Sequence, residues 1–227
     1  MRIIFQVLLI LPFAATIIYA ADPLELDHGE QPNHLVPVTP RSDTYIKLVE
    51  EKLLVTPADY GRMIFRPSFS GEFAVSVYGD NYTESYPREP LVFHITLTKA
   101  KDSIWYSMPE NNGQKKQEST AIIRIDIIID KTLAVAIQRA WATMLLKTRY
   151  PLKAYAGCDG YEAEFSVFVR CIGDLYGEIW SPDRGLPKEM VELGLALKDF
   201  CETPSDQRPA KQQKIMSQLA SFTRKAQ

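Results

Sequence analysis

The sequence predicts an α+β protein: a largely antiparallel sheet with two amphipathic helices packed on one face, an N-terminal arm and a C-terminal tail helix. Three observations lead there. Segments that alternate apolar and polar residues come in pairs joined by short turns, the pattern of hairpins. Helical periodicity occurs in only two long core stretches rather than after every strand, so the β-α-β order of a parallel sheet is missing. Finally, 46% hydrophobic and 24% charged residues are the proportions of an ordinary globular domain with a full core.

The chain divides into four parts: 1–20 a signal peptide, 21–41 a flexible arm, 42–202 a single α+β domain, and 203–227 a linker and tail helix. Met1-Arg2 gives a positive start, Ile3 to Ala20 is an apolar run broken by Gln6, Pro12 and Thr16, and Ala20-Ala21 offers small residues for cleavage. The run approaches the ~20 residues that span a bilayer, so an uncleaved anchor is the alternative. Pro12 and the small-residue end favour cleavage after Ala20, and no second run of this length follows. An exported protein, periplasmic or extracellular, with no membrane span after cleavage is expected.

Between Asp22 and Arg41 four prolines and little periodicity indicate the arm. Ser42 or Asp43 caps a short helix through Leu54, with Tyr45, Leu48, Val49 and Lys52 at helical spacing. The period becomes two from Met63. Phe73–Tyr78 is a strand; Leu91–Thr98 is a second, which Ser103–Met108 joins in a hairpin; Pro109–Glu118 is a loop, and Thr120–Asp130 is a third long strand. Helical spacing then aligns Leu133, Ile137, Trp141, Met144 and Leu145 in Lys131–Lys147. Tyr161–Arg170, a turn at Cys171–Asp174 and Leu175–Trp180 make a second hairpin. Pro187 opens a final core helix carrying Met190, Leu193, Leu197 and Phe200, and Pro209–Ala226 forms the tail helix.

Strand alternation sorts the side chains. Phe93, Ile95 and Leu97 share a side, as do Ile123, Ile125, Ile127 and Ile129, and Tyr161, Ala163, Phe165, Val167 and Val169. These face the helix stripes of Trp141 and Leu193. The other side carries His94, Thr96, Thr98, Arg124, Asp126, Glu162, Glu164, Ser166, Tyr176, Glu178 and Trp180. A polar outer face is the rule for one-sided sheets. Large aromatics beside arginine also suit a docking surface, so His94, Arg124, Tyr176, Glu178 and Trp180 are the candidate binding residues. Trp180 tucked under the Pro182 loop is the other reading.

Export permits disulfides, and three cysteines allow one bridge. Cys158 and Cys171 flank a strand roughly 30 Å long, whereas a bridge needs Cα atoms within about 7 Å. The helix from Pro187 returns ~20 Å, bringing Cys201 towards the Cys171 turn. A Cys171–Cys201 bridge is therefore one expectation, and a buried free Cys201 thiol the other.

Charge and motifs exclude several classes. A net charge of −2, or −3 once Arg2 is removed, with no basic cluster beyond Lys115-Lys116, argues against nucleic acid. Only His94 of the three histidines lies outside the arm, and nothing in sequence sets it beside Cys158 as a nucleophile's base. No metal-binding spacing and no glycine-rich phosphate loop is present, and Asp27, His28 and His34 in an arm have no fixed geometry. No catalytic residue, metal or cofactor is assigned. Glu162, Glu164 and Glu178 fall on one face of the second hairpin, and paired carboxylates at suitable separations run glycoside hydrolysis. Asp159-Gly160 signals a turn, and Asn81-Tyr82-Thr83 is a glycosylation sequon.

Two blocks carry a resemblance: Ser103-Ile-Trp-Tyr-Ser-Met108, and the series Ala140-Trp-Ala-Thr-Met144, Thr148-Arg-Tyr-Pro151, Asp159-Gly160 and Gly177-Glu-Ile-Trp-Ser-Pro182. Their order resembles small exported bacterial proteins of unknown function. That resemblance implies an envelope location and supplies no activity. The expected role is a non-enzymatic binding or interaction protein of the cell envelope or periplasm, with an unknown protein or polymer ligand. The rival is a hydrolase of envelope or extracellular polymers using the acidic residues of the outer face. Self-association through that face is a third possibility.

Overall fold

The computed structural model describes residues 32–38, 43–80, 90, 92–108, 120–151 and 159–227. The leader, Cys158, the Asn81 sequon and the 109–118 loop lie outside the described residues. The elements run α1 (Thr44–Leu53), β1 (Gly61–Pro67), β2 (Phe73–Gly79), β3 (Phe93–Ala100), α2 (Ile104–Ser107), β4 (Ile122–Ile129), α3 (Lys131–Leu145), β5 (Tyr161–Val169), β6 (Gly173–Trp180), α4 (Gly185–Glu202) and α5 (Arg208–Ala226). The class is α+β, with one six-stranded sheet in the order β4-β3-β2-β1-β5-β6 and every pairing antiparallel.

Local chemistry sets the helix starts. Asp43 caps α1 by accepting the Ile46 N–H at 2.8 Å, and Asp130 caps α3 through the Leu133 N–H at 2.8 Å, each satisfying a donor the helix leaves open. The predicted stripe of α3 is buried throughout, and Trp141 packs edge-on against Phe165 with ring centroids 5.7 Å apart. Its indole N–H donates to the Arg62 carbonyl at 3.1 Å, so the buried polar tip is satisfied. Gln138, off the stripe, donates to the carbonyls of Phe168 (3.1 Å) and Asp59 (3.4 Å), tying the helix to β5 and to the segment before β1.

One continuous core contains Met63, Val75, Ile95, Leu97 and Phe165 from the sheet and Leu133, Ile137, Leu193, Leu197 and Phe200 from α3 and α4. Helix α3 lies against β1, β3, β5 and β6, whereas α4 lies against β2, β3 and β4. Helix α5 packs on both, and its Ile215, Leu219 and Phe222 are 1% exposed and belong to the same core. Segment 203–227 is thus a packed layer. Ile215, Leu219, Phe222 and Ala226 form the stripe of α5 that is buried, and most of its other residues are polar.

A second, smaller core differs from the expected architecture. Val49 and Leu53 of α1 and Ile104 of α2 pack on Ile64, Ala74 and Ala100, which alternate with residues of the main core and so lie on the other side of the sheet. Part of the outer face is therefore roofed by helices. Ser103–Met108 does not return as a strand. It starts α2, because the Glu72 carboxylate captures its N–H groups, and β4 takes the place beside β3.

The arm is anchored at its end. Val36 forms an isolated bridge with Glu178, exchanging backbone hydrogen bonds of 2.9 and 2.8 Å, and Leu35 is fully buried. Asn33 Oδ1 accepts the Leu186 N–H at 2.9 Å, where α4 begins beside β6.

No Cys171–Cys201 bridge exists; both thiols are free, Cys171 exposed and Cys201 buried. The reason is the course of α4. From its start near β6 the helix crosses the strands: Lys198 sits over the Phe73 ring, and Glu202 pairs with Lys99 on β3. Lys99, Phe73, Phe65, Ala163 and Ile179 form one transverse row through the paired registers, at the end of the sheet where β6 finishes. Cys171 lies in the turn at the opposite end, with the ~20 Å from Gly173 to Ile179 between. Burial, the largest cause, pushes the Cys201 thiol up to about 12.

Candidate functional site

Register places His94, Arg124, Tyr176, Glu178 and Trp180 on one side of the sheet, as alternation predicts. Strand order divides them. His94 and Arg124 belong to β3 and β4, the other three to β6, and four strand spacings of ~4.8 Å put β3 about 19 Å from β6. They do not form one site. Glu178 is 7% exposed, while Arg124 and Tyr176 are exposed.

His94 lies in its own cluster. Its Nδ1 is 3.0 Å from Asp126 and its Nε2 3.2 Å from Asp80; Tyr78 stacks on the ring at 5.1 Å and donates its hydroxyl to Asp126 at 3.2 Å, and Thr96 donates to the same carboxylate. Burial lowers the His94 pKa, but the hydrogen bonds to Asp80 and Asp126 outweigh it and the net shift is upward. For Asp126 burial raises and the hydrogen bonds from Thr96 and His94 lower, leaving it below the usual carboxylate range. Each group stabilises the other's charged form.

Trp180 leads to a different site. It lines a pocket of about 460 Å³ together with Tyr45 of α1, Arg66 and Pro67 at the end of β1, Ser68 and Phe69 beyond it, Trp105 and Tyr106 of α2, Asp159, and Glu162 of β5. Five aromatic side chains surround it. Phe69 is 72% exposed, and Trp105 and Tyr106 are each 44% exposed.

A single buried carboxylate holds the aromatic wall. Glu72, 0% exposed, accepts from the Tyr45 hydroxyl (2.9 Å), the Ser103 hydroxyl (3.3 Å), the Ile104 N–H (2.7 Å) and the Trp105 N–H (3.3 Å). It joins α1 to the first turn of α2 and sets Tyr45 edge-on to Trp105 at 5.1 Å. Burial, then the Glu72 charge and hydrogen bond, raise the Tyr45 pKa and keep the phenol neutral.

The floor is an ion cluster. Arg66, 5% exposed, places Nη2 2.8 Å from Glu162 and 2.9 Å from Glu164. Burial opposes its charge, but the two carboxylates more than offset this and raise its pKa. Its Nε and Nη1 have no hydrogen-bond partner among the described residues. Opposite, Gly160 closes the rim: its carbonyl accepts the Ser68 N–H at 2.9 Å and its N–H donates to the Ser68 hydroxyl at 3.2 Å. Its φ of 136° is a backbone form that side chains rarely adopt, consistent with the predicted Asp159-Gly160 turn.

Arg66, Tyr45, Phe69, Trp105 and Tyr106 escaped the sequence reading. One signal was available. Adjacent strand residues point to opposite faces, so the Trp105-Tyr106 doublet cannot place both rings in a core, and in a short helix both stay exposed. Among the described residues no group of three or more His, Cys, Asp or Glu is arranged to hold a metal ion, and no helix is long and apolar enough to cross a membrane. Comparison with known protein families, with curated proteins and with solved structures finds no match.

Proposed function

We propose that this chain is an exported, non-enzymatic binding protein of the cell envelope or periplasm, and that its pocket takes an organic cation, free or displayed on a partner. Export rests on the leader pattern and on the resemblance described above. The fold underlying the reading has α3 and α4 covering one sheet face, while α1 and α2 frame the ligand on the other.

The observation that carries the ligand class is the pairing of aromatic walls with excess acid. Asp159 and Glu162 line the pocket, and Glu164 lies behind it on Arg66, which sets three carboxylates against one guanidinium, a formal balance of −2. An anion is disfavoured there, and a neutral ligand gains stacking alone. A cation gains twice, from the carboxylates and from the electron-rich ring faces, each such face worth about 0.5–2 kcal/mol. No particular observation favours the hydrolase. Glu178 is buried, and Glu162 and Glu164 are both bound to the same arginine nitrogen.

Tryptophan fluorescence tests this directly, since two of the three tryptophans line the pocket and the third, Trp141, is buried. Choline and a lysine-containing peptide are titrated against 3,3-dimethylbutan-1-ol, the uncharged counterpart of choline. At least one cation should change the emission, with the neutral analogue inert, and Trp105→Ala should weaken binding about tenfold or more. An equal response to the alcohol, or silence to both cations, refutes the cation reading.

A further inference from the structure

We propose that β4 is the interface of a symmetric dimer, in which the β4 strands of two copies pair antiparallel about Ile125 and continue the sheet from six strands to twelve. This stands independently of the pocket.

The two edges of the sheet are treated differently. At β6 the chain covers itself, with residues 32–38 bridging through Val36. At β4 no strand among the described residues pairs with the outer side. Proteins protect such edges with proline, charged side chains (lysine above all), bulges or very short strands, because open N–H and C=O groups recruit another strand. The two charges of β4, Arg124 and Asp126, are of opposite sign and so do not repel a second copy. Strand β4 has eight residues, no proline, no lysine, and an unbroken one-to-one register with β3. Three of its isoleucines are exposed: Ile122 at 36%, Ile123 at 42% and Ile128 at 69%. Large apolar side chains exposed on an unpaired edge mark an interaction site.

The occupant follows from the sequence Ile122-Ile-Arg-Ile-Asp-Ile-Ile128, which is symmetric about Ile125 except that the charges invert. In antiparallel self-pairing about that residue, Arg124 of each copy lies opposite Asp126 of the other. On the same face Ile122 meets Ile128; on the other face Ile123 meets Ile127, and Ile125 meets itself. Every position finds a like or complementary partner, and a two-fold axis makes each contact twice except the Ile125 pair on the axis itself. Opposite charges directly across antiparallel strands attract, and like charges there repel. The Asp126 carboxylate accepts from Tyr78 and Thr96 and contacts His94, which leaves one of its roughly four acceptor positions for an incoming guanidinium. A register shifted by two residues loses both ion pairs, so the charge pattern selects this one.

Sedimentation velocity with crossed variants tests the inference. The wild-type chain should dimerise. Arg124→Asp sets Asp against Asp at both contacts and should weaken the dimer about tenfold or more, as should Asp126→Arg by setting Arg against Arg. Mixing the two variants restores Asp–Arg pairing at both contacts and should recover a heterodimer. Circular dichroism establishes that each is folded. Should Asp126→Arg disturb the His94 cluster, Ile128→Lys at an exposed position gives the second reading and should also dissociate the dimer. A wild-type chain monomeric at its highest soluble concentration, a dimer indifferent to Arg124→Asp and Ile128→Lys, or folded single variants that do not associate on mixing would each overturn the proposal.

Discussion

Replacing Glu72 by alanine should melt the aromatic wall of the pocket before the rest of the protein. Glu72 is fully buried and accepts four hydrogen bonds from α1, Ser103 and the first turn of α2. Hydrogen bonds to a charged acceptor contribute about 1.5–3 kcal/mol each, but bonds to one carboxylate do not add in full. Two of the four donors are hydroxyls that can turn elsewhere. The other two are the N–H groups of Ile104 and Trp105, fixed in the backbone, and leaving a buried donor unmet costs about 1–3 kcal/mol. The expected loss is about 3–4 kcal/mol. For a chain of this size, ~2–4 °C per kcal/mol places the fall in Tm near 10 °C.

That figure applies if unfolding is global. Among the described residues the small core under α1 and α2 holds six buried apolar residues. A local opening therefore caps the global loss, and the pocket aromatics lose their order first. Near-ultraviolet circular dichroism reports the aromatics, and urea unfolding reports the whole. Glu72→Gln separates charge from shape: its amide can accept through oxygen but offers two donors to sites that already donate. Both variants should lose the dichroic signal while the sheet persists in the far ultraviolet. A stability loss under about 1 kcal/mol with an intact aromatic signal would refute the account of Glu72 as the post on which the wall stands.

Two further outcomes follow. Phe222→Ala, at a position 1% exposed between α5 and the helices below, should cost about 3–4 kcal/mol by cavity formation; a loss under 1 kcal/mol in urea would contradict α5 as a packed layer of the core. His94→Asn should destabilise the protein more at acidic than at alkaline pH. The folded pKa of His94 lies above its ordinary value, so its contribution is complete below the unfolded pKa and disappears as pH rises through the folded one. Asp126 runs the other way, its contribution lost as pH falls through a depressed folded pKa. Unfolding free energies of both proteins from pH 5 to 9 should converge at the alkaline end, and a constant gap would contradict the ion-paired cluster.

Much of the architecture was legible because burial imposes a period. The alternation in β3 and β5 and the Leu133–Trp141 stripe announce themselves along the chain, and Asp43, a cap candidate beside Ser42, marks a helix start by the chemistry of an oxygen facing open N–H groups. Residues 103–108 were misread because a four-residue helix has no period to detect; its cause, the Glu72 carboxylate, lies thirty-one residues upstream of Ser103. Helix α5 was legible as an amphipathic tail helix, but not which two helices, α3 and α4, its stripe packs on.

The sequence alone determined most of the long elements and which residues of each strand share a face, since these depend on neighbours a few positions apart; it did not determine α2 or the apolar roof on the outer side. Only the tertiary structure decided strand order, the course of α4 and the pocket. Strand order separates His94 and Arg124 from the β6 residues although all share a face. The transverse run of α4 keeps Cys201 from Cys171. The pocket gathers Tyr45, Arg66, Trp105, Glu162 and Trp180 from five elements. Periodicity records which way a side chain points; it does not record which distant segment arrives to meet it, because that depends on how the whole chain closes its core.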